Sequence, residues 1–196
     1  MDPWLPPTFV LLGSYLLGTI PFGLVITRLA GTQDLRSIGS GNIGATNVLR
    51  TGRKSLAALT LLCDAGKGLL AVLLARWLAP GLEGMAAIGA FYGHLYPLWL
   101  KFHGGKGIAT YLGVALALYW PCGLLFAIVW IALTLLTRTS SVGGIGAALA
   151  VPIAAIVFER PDLTILFLAF ALTVLWTHRA NIARLFAGTE PRIGRA

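Results

Sequence analysis

Two glycine-rich stretches, each with a basic residue in or beside it, are the parts of this sequence best suited to chemistry. The first reads Ser40-Gly41-Asn42-Ile43-Gly44-Ala45-Thr46-Asn47, with Arg50 just beyond it. The second reads Gly104-Gly105-Lys106-Gly107-Ile108-Ala109-Thr110. Glycine-dense loops beside a cation can aim backbone N–H groups at phosphate oxygens. The two stretches therefore suggest a site for two phosphate-bearing molecules.

The first stretch combines backbone freedom with polar side chains. Its glycines permit close approach of a ligand to the backbone, and Ser40, Thr46 and Asn47 can add side-chain hydrogen bonds. Arg50 can reach back by about one turn if a short helix follows the loop. An ordinary polar loop with helix caps would have a similar composition, so this alternative stays open.

The second stretch directly precedes an apolar segment. It is therefore expected to form a helix N-terminus, with N–H groups and a positive dipole end near Lys106. It is not a Walker-type loop, because Leu100 stands where the first glycine belongs and Gly107 replaces the Ser or Thr after the lysine. The alternative is a tight turn that carries one lysine.

Two further constellations carry polar groups. His178 and Asn181 lie about one turn apart if their helix continues, although an amphipathic helix at the membrane surface is an alternative. Asp64 and Lys67 are three residues apart on one face of an apolar segment. They either pair to hold the core or line a path for substrate or protons.

The composition predicts an integral membrane protein. Hydrophobic residues make up 57% of the 196 residues and charged residues 11%, against roughly 25% charged in soluble domains. No alternating barrel strands occur, which leaves an all-α helical bundle. Nucleic-acid binding is excluded because no polar domain could present a groove. Cys63 and Cys122 lie in apolar segments, no pattern predicts a metal site, and no cofactor is expected.

The chain is predicted to form a single domain, 1–196, as a compact bundle of seven transmembrane helices. The expected spans are 8–29, 55–78, 84–100, 107–119, 122–137, 142–158 and 162–178. Most of the 15 Lys and Arg, from Arg28 to Arg195, then fall on one face, and only Arg76 and Arg160 fall on the other. By the positive-inside rule, the start at Met1-Asp2 is outside, and the C-terminus and both glycine stretches are cytoplasmic.

The order and spacing of three motifs resemble the bacterial acyl-phosphate-dependent glycerol-3-phosphate acyltransferases. The motifs are the first stretch with Arg50, the second stretch, and His178-Arg179-Ala180-Asn181-Ile182-Ala183-Arg184-Leu185 with Gly188 and Glu190. Asp64, Lys67 and Gly93-His94-x-Tyr96-Pro97 also match the family. The resemblance covers about residues 13–190.

The resemblance implies transfer of an acyl group from acyl phosphate to the 1-hydroxyl of sn-glycerol 3-phosphate, giving lysophosphatidate and phosphate. The catalytic residues it implies are Ser40, Arg50, Lys106, His178 and Asn181. The substrate-binding residues it implies are Gly41, Asn42, Gly44, Ala45, Thr46, Asn47, Gly104, Gly105, Gly107, Thr110 and Ser141.

The same resemblance implies an enzyme of the bacterial inner membrane with its active site on the cytoplasmic side. Membrane lipids and an enzyme that supplies acyl phosphate are the expected partners. His178 or the leaving phosphate would take the hydroxyl proton. The alternative function is a membrane transporter for a phosphorylated solute, which would also use phosphate-binding loops and the Asp64–Lys67 pair.

Overall fold

Every regular element of the described residues, 3–193, is a helix, as the composition predicts. The structure is a computed structural model of the chain. Met1, Asp2 and Arg195, which enter the orientation argument above, lie outside the described residues. Contacts divide the chain into two compact units, Met1–Leu118 and Tyr119–Ala196, and the single domain stays a prediction.

In the first unit, residues 3–118 are described, and they form six α-helices and two 3-10 turns. The helices are α1 (Leu5–Gly18), α2 (Phe22–Leu29), α3 (Ala45–Leu49), α4 (Lys54–Leu78), α5 (Glu83–Leu95) and α6 (Ile108–Leu118). The 3-10 turns are Leu35–Ser37 and Leu98–Leu100. The first expected span is broken before Pro21, whose ring cannot continue a regular helix. The third expected span ends at Leu95 and not at Leu100, because the chain turns at Tyr96-Pro97.

The described part of the second unit, residues 119–193, forms four α-helices. They are α7 (Trp120–Thr137), α8 (Ser140–Val157), α9 (Pro161–Thr177) and α10 (Arg179–Phe186). Proline stands in the first turn of α7 and of α9, where its missing N–H has no helical partner to lose. Between α9 and α10 the chain bends by 60° at His178.

Four helical segments of the described residues are long and apolar enough to cross a membrane: Leu5–Leu29, Lys54–Leu78, Trp120–Thr137 and Ser140–Val157. The bent pair α9 and α10 makes a fifth if it counts as one span. Helices α5 and α6 have 13 and 11 residues, fewer than the roughly 20 that a straight span needs. A helix is therefore present in each of the seven expected segments, while four or five meet the length criterion.

Glycines allow the helices of each unit to pack closely. A methyl group on Gly89 or Gly93 of α5 would overlap backbone atoms of α1. A methyl group on Gly143 of α8 would overlap the Thr134 hydroxyl of α7. Such contacts are typical of helices that associate in lipid, where dispersion replaces the hydrophobic effect.

Candidate active site

The side chain of Asn47 organises the first glycine loop. Its Nδ2 donates hydrogen bonds to the carbonyl oxygens of Leu35 at 2.7 Å and Ile38 at 3.2 Å. Its Oδ1 accepts from the Ser40 N–H at 3.3 Å and from Arg50 Nη1 at 3.2 Å. These bonds occupy both ends of an amide that is only 2% exposed. Asn47 therefore positions the loop and Arg50, whereas the sequence had assigned it to the substrate.

A small apolar cluster packs beside this loop. Leu35, Val48 and Ala57 are buried together, at 0%, 0% and 7% exposure. A methyl group on Gly23 of α2 would overlap the Ile43 carbonyl, so α2 and the loop are in close contact. The loop is thus held in place by the apolar cluster and by its contact with α2.

Of the residues assigned to this loop, some are exposed and others serve the turn. Ser40, Gly41 and Arg50 are exposed, while Thr46 and Ala45 are half-buried in the first turn of α3. Asn42 accepts a hydrogen bond from the Gly44 N–H at 2.9 Å and so closes an Asx turn. The expected short helix is present as α3, and the reach of Arg50 back to Asn47 is confirmed.

Gly39 offers a test of this arrangement. Its φ is +54°, and an added Cβ would lie 2.5 Å from Asn47 Oδ1 and 2.6 Å from Arg50 Nη1. We expect Gly39→Ala to lose about 1–2 kcal/mol of stability from backbone strain and to lower kcat/KM more than about tenfold by displacing Arg50. Thermal melting and steady-state assays measure the two effects.

Gly31→Ala is the matched control, because Gly31 has a φ of +64° with no neighbour within 4 Å. It should show the strain without the loss of activity. Equal losses of activity in the two variants would contradict the assigned role of the Asn47–Arg50 contact.

In the second glycine loop, Gly104 and Gly105 do not aim their N–H groups at a ligand. Instead they donate to the carbonyl oxygens of Leu95 at 2.9 Å and His94 at 3.0 Å. Methyl groups at these glycines would overlap His94 and Leu95. Their small size is needed for packing, which differs from the phosphate contacts expected from the sequence.

The remaining part of this loop leads into α6. Gly107 has a φ of +86° and lies against Phe91 and Leu95, and α6 begins at Ile108. Lys106, half-buried, lies just before this helix N-terminus, as the sequence predicted. Thr110 is 0% exposed, and its hydroxyl donates to the Asp64 carbonyl at 3.1 Å. Thr110 therefore joins α6 to α4, and its assignment to the substrate stays a prediction.

The Asp64–Lys67 ion pair is confirmed. Lys67 Nζ lies 2.8 Å from Asp64 Oδ1, and the two side chains are 1% and 3% exposed. Lys67 also donates to the Ile20 carbonyl at 2.7 Å, at the break between α1 and α2. The pair thus holds the broken first span against α4.

In the second unit, Glu190 joins two of the assigned residues. Its Oε1 accepts from Ser141 Oγ at 2.7 Å and from Asn181 Nδ2 at 2.5 Å, and its Oε2 accepts from Arg184 Nε at 2.7 Å. The Glu190 side chain is 7% exposed. Sequence reasoning did not select Glu190 as a site residue, although its presence in the third motif was a signal that it mattered.

His178 occupies the bend between α9 and α10. It is 3% exposed, and its Nδ1 lies 2.9 Å from the Val174 carbonyl. A carbonyl only accepts hydrogen bonds, so Nδ1 carries a proton, and in the neutral ring the lone pair is on Nε2. The predicted turn spacing of His178 and Asn181 is present at the start of α10, where the His178 carbonyl accepts the Ile182 N–H at 2.9 Å.

Glu190 gives a pH-dependent prediction. Burial raises its pKa, but hydrogen bonds from Asn181, Ser141 and Arg184 outweigh burial and hold the pKa below its ordinary value of 4.5. A depressed folded-state pKa stabilises the protein above pH 4.5, and this stability is lost as the pH falls through the folded-state pKa. We expect Glu190→Gln to lose roughly 1.5 kcal/mol at pH 7, the low end for bonds to a charged group because Arg184 is partly exposed.

Melting temperatures are measured between about pH 7 and pH 3.5, a range that includes the ordinary carboxyl pKa. The difference in melting temperature between Glu190→Gln and the wild type should shrink as the pH falls. Glu159→Gln removes an exposed carboxylate of the same unit and should have little effect. A difference for Glu190→Gln that stays constant with pH would contradict this account.

The fold and these sites define a class: a helical membrane protein whose two glycine-rich loops carry exposed or half-buried cations suited to anionic groups. A family model described as glycerol-3-phosphate acyltransferase matches residues 8–188. The glycerol-3-phosphate acyltransferase of Rhodopseudomonas palustris (strain BisB5) is 57% identical over 182 residues, covering 92% of this chain and 93% of that protein. The enzyme of the same name from Mesorhizobium japonicum is 56% identical over 181 residues, covering 92% and 93%.

Two solved structures agree with these sequence matches. The crystal structure of PlsY (YgiH), an integral membrane glycerol 3-phosphate acyltransferase, in its glycerol 3-phosphate form has a TM-score of 0.90 at 35% identity and covers 96% of both chains. Its lysophosphatidic acid form has a TM-score of 0.89 at 33% identity and covers 96% of this chain and 95% of that one. The chain therefore belongs to the glycerol-3-phosphate acyltransferase family, of the PlsY type.

Proposed function

We propose that the protein transfers an acyl group from acyl phosphate to the 1-hydroxyl of sn-glycerol 3-phosphate. The products are 1-acylglycerol 3-phosphate and inorganic phosphate. The observation that carries the proposal is the likeness, over 96% of the chain, to an integral membrane glycerol 3-phosphate acyltransferase in its glycerol 3-phosphate form. The loop that holds Arg50 and the loop that contains Lys106 supply the cations that two phosphorylated substrates require.

Acyl phosphate is a mixed anhydride, so the reaction needs little activation of the donor. The hydroxyl oxygen attacks the acyl carbon, the bond from that carbon to the phosphate oxygen breaks, and the phosphate leaves. Two anionic substrates repel each other, and fixed cations and N–H dipoles offset this repulsion. Holding both substrates in line supplies much of the remaining acceleration.

We assign the residues by the charges that they can offset or the hydrogen bonds that they can form. Lys106, Thr46 and the exposed backbone of the first loop act on the acyl phosphate, and Ser40 lies near the reacting centre. Arg50, Ser141, His178 and Asn181 act on glycerol 3-phosphate. Asn47 supports the first loop and Arg50, and Gly104, Gly105 and Thr110 support the second loop and the start of α6.

The hydroxyl proton has two possible acceptors. His178 can accept it at Nε2, since Val174 engages Nδ1, and the leaving phosphate can accept it directly. His178→Gln and His178→Ala distinguish the two at saturating substrate. A fall in kcat of under about tenfold in both variants would assign the proton to the phosphate, because general-base catalysis usually contributes about 10²–10⁴-fold.

We further propose seven membrane spans, with the N-terminus outside and the C-terminus and both glycine loops in the cytoplasm of a bacterium. The distribution of Lys and Arg supports this orientation. Single cysteines at positions 138 and 160, in a background without Cys63 and Cys122, test it in intact cells. Arg160→Cys should react with an impermeant maleimide and Arg138→Cys should not. The reverse pattern would invert the topology.

The function itself is tested with purified protein, palmitoyl phosphate and glycerol 3-phosphate. Phosphate release and lysophosphatidate formation, measured by mass spectrometry, should occur in equal amounts. Product from palmitoyl-CoA alone would keep the acyltransferase and reject the acyl-phosphate donor. Uptake of glycerol 3-phosphate into proteoliposomes, with no product from either donor, would favour the transporter.

A further inference from the structure

A buried group of polar side chains lies beneath the second glycine loop and takes no part in the proposed chemistry. It consists of Asp64 and Lys67 of α4 and His94 of α5, which are 2%, 3% and 4% exposed. Polar groups buried in an apolar bundle are costly, so they generally have a function. The inference drawn from them rests on the proposed function and concerns how Lys106 is placed.

His94 contacts the loop in two ways. Its carbonyl oxygen accepts the Gly105 N–H at 3.0 Å, and its ring lies so close to Gly105 that a methyl group there would overlap Nε2. On the other side of Lys106, Gly107 lies against Phe91 and Leu95. The last turns of α5 therefore form the surface on which the loop rests, on both sides of the lysine.

Asp64 connects this surface to α4 and α6. Its Oδ1 lies 3.6 Å from His94 Nδ1 and 2.8 Å from Lys67 Nζ, and its backbone carbonyl accepts the hydroxyl of Thr110. A separation of 3.6 Å is too long for a hydrogen bond, and His94 Nδ1 has no hydrogen-bond partner within the described residues. The carboxylate therefore acts on the ring electrostatically, and Lys67 holds the carboxylate in place.

We propose that His94 is a positioning residue for Lys106. Asp64 and Lys67 fix the orientation of the His94 ring, and the ring and carbonyl of His94 fix the Gly104–Gly107 loop. The ammonium group of Lys106 is thereby held where it can offset the charge of a phosphate. Without the ring, the loop would settle differently, and a displacement of about 1 Å in such a group can cost about 10²-fold in rate.

A double-mutant cycle separates this role from general support of the bundle. We expect His94→Ala to lower kcat by about 10–100-fold, with KM for either substrate changed by less than about threefold. In a Lys106→Ala background the same substitution should lower kcat by less than about threefold, because the residue it positions is already missing. If His94→Ala lowered kcat by the same factor in the wild type and in the Lys106→Ala variant, the proposal would be overturned.

Gly105→Ala tests the same contact from the loop side and serves if His94→Ala does not fold. Its methyl group would overlap the His94 ring, so it should also lower kcat and should lose this effect in the Lys106→Ala background. Gly66→Ala is the matched control, because Gly66 lies in α4 with no neighbour within 4 Å of an added Cβ. Wild-type activity in Gly105→Ala would contradict the proposal.

Hydrogen exchange gives a readout that does not depend on activity. In the wild type, the bonds from Gly104 and Gly105 to Leu95 and His94 should slow exchange in the peptide that contains them. His94→Ala should speed exchange there by at least about tenfold while the rest of α4 and α5 is unchanged. An inactive wild type would reject the proposed function alone, whereas unchanged exchange in the loop would reject the role of His94.

Discussion

Arg50→Ala and Lys106→Ala should each lower kcat/KM by at least about 10²-fold while the protein still folds. Removing one preorganised donor to a developing charge commonly has this effect. Arg50 is exposed, and its side chain donates a hydrogen bond to Asn47 Oδ1 at 3.2 Å, so little packing depends on it. Phosphate release and lysophosphatidate formation measure the loss, and size-exclusion profiles check the fold.

The conservative variants distinguish shape from charge. Arg50→Lys keeps the positive charge but loses the planar group that can donate two parallel hydrogen bonds to a phosphate. We expect it to recover only part of the activity that Arg50→Ala loses. Lys106→Arg should likewise recover part, because a compact ammonium is replaced by a larger group in a half-buried position.

Matched controls remove a charge without touching the proposed contacts. Arg53 and Lys101 are exposed basic residues close in sequence to Arg50 and Lys106. Lys101 has a φ of +51°, so Lys101→Asn is the suitable substitution because asparagine tolerates that backbone region. Losses in Arg53→Ala and Lys101→Asn as large as those at Arg50 and Lys106 would mean that the total positive charge matters and not these two positions.

The helices could be predicted because each depends on local sequence. Apolar runs gave the helical segments, and a helix is present in each of them. The expected end of the third span, at residue 100, was wrong because α5 ends at Leu95 and a turn at Tyr96-Pro97 follows. The third expected span had been extended by apolar residues that belong to a 3-10 turn.

The contacts of several site residues could not be predicted because they depend on partners distant in sequence. Thr110 donates to the carbonyl of Asp64, 46 residues away, and Ser141 donates to Glu190, 49 residues away. A sequence motif records which residue types are needed but not which of them contact the ligand. Asn47 illustrates this limit, since its amide is occupied by the loop's own backbone and by Arg50.

Lys67→Met should destabilise the protein more than any other substitution considered. It would leave the Asp64 carboxylate buried at 3% exposure without its ammonium partner, and the Ile20 carbonyl without its 2.7 Å hydrogen bond. Breaking a buried ion pair in this way costs about 3–5 kcal/mol, which corresponds to roughly 6–20 °C in melting temperature for a chain of this size. Lys54→Met, at an exposed position in the first turn of the same helix, is the control.

The double variant Asp64→Leu/Lys67→Met decides what the pair is for. Replacing both charges with apolar groups of similar size is often neutral or stabilising, because the cost of burying the charges disappears with them. We therefore expect the double variant to recover most of the melting temperature that Lys67→Met loses, yet to keep a reduced kcat because His94 has lost the carboxylate that orients it. Recovery of both stability and kcat would show that the pair serves packing alone. If neither recovers, the cause is the lost hydrogen bond to Ile20 and the displaced first span.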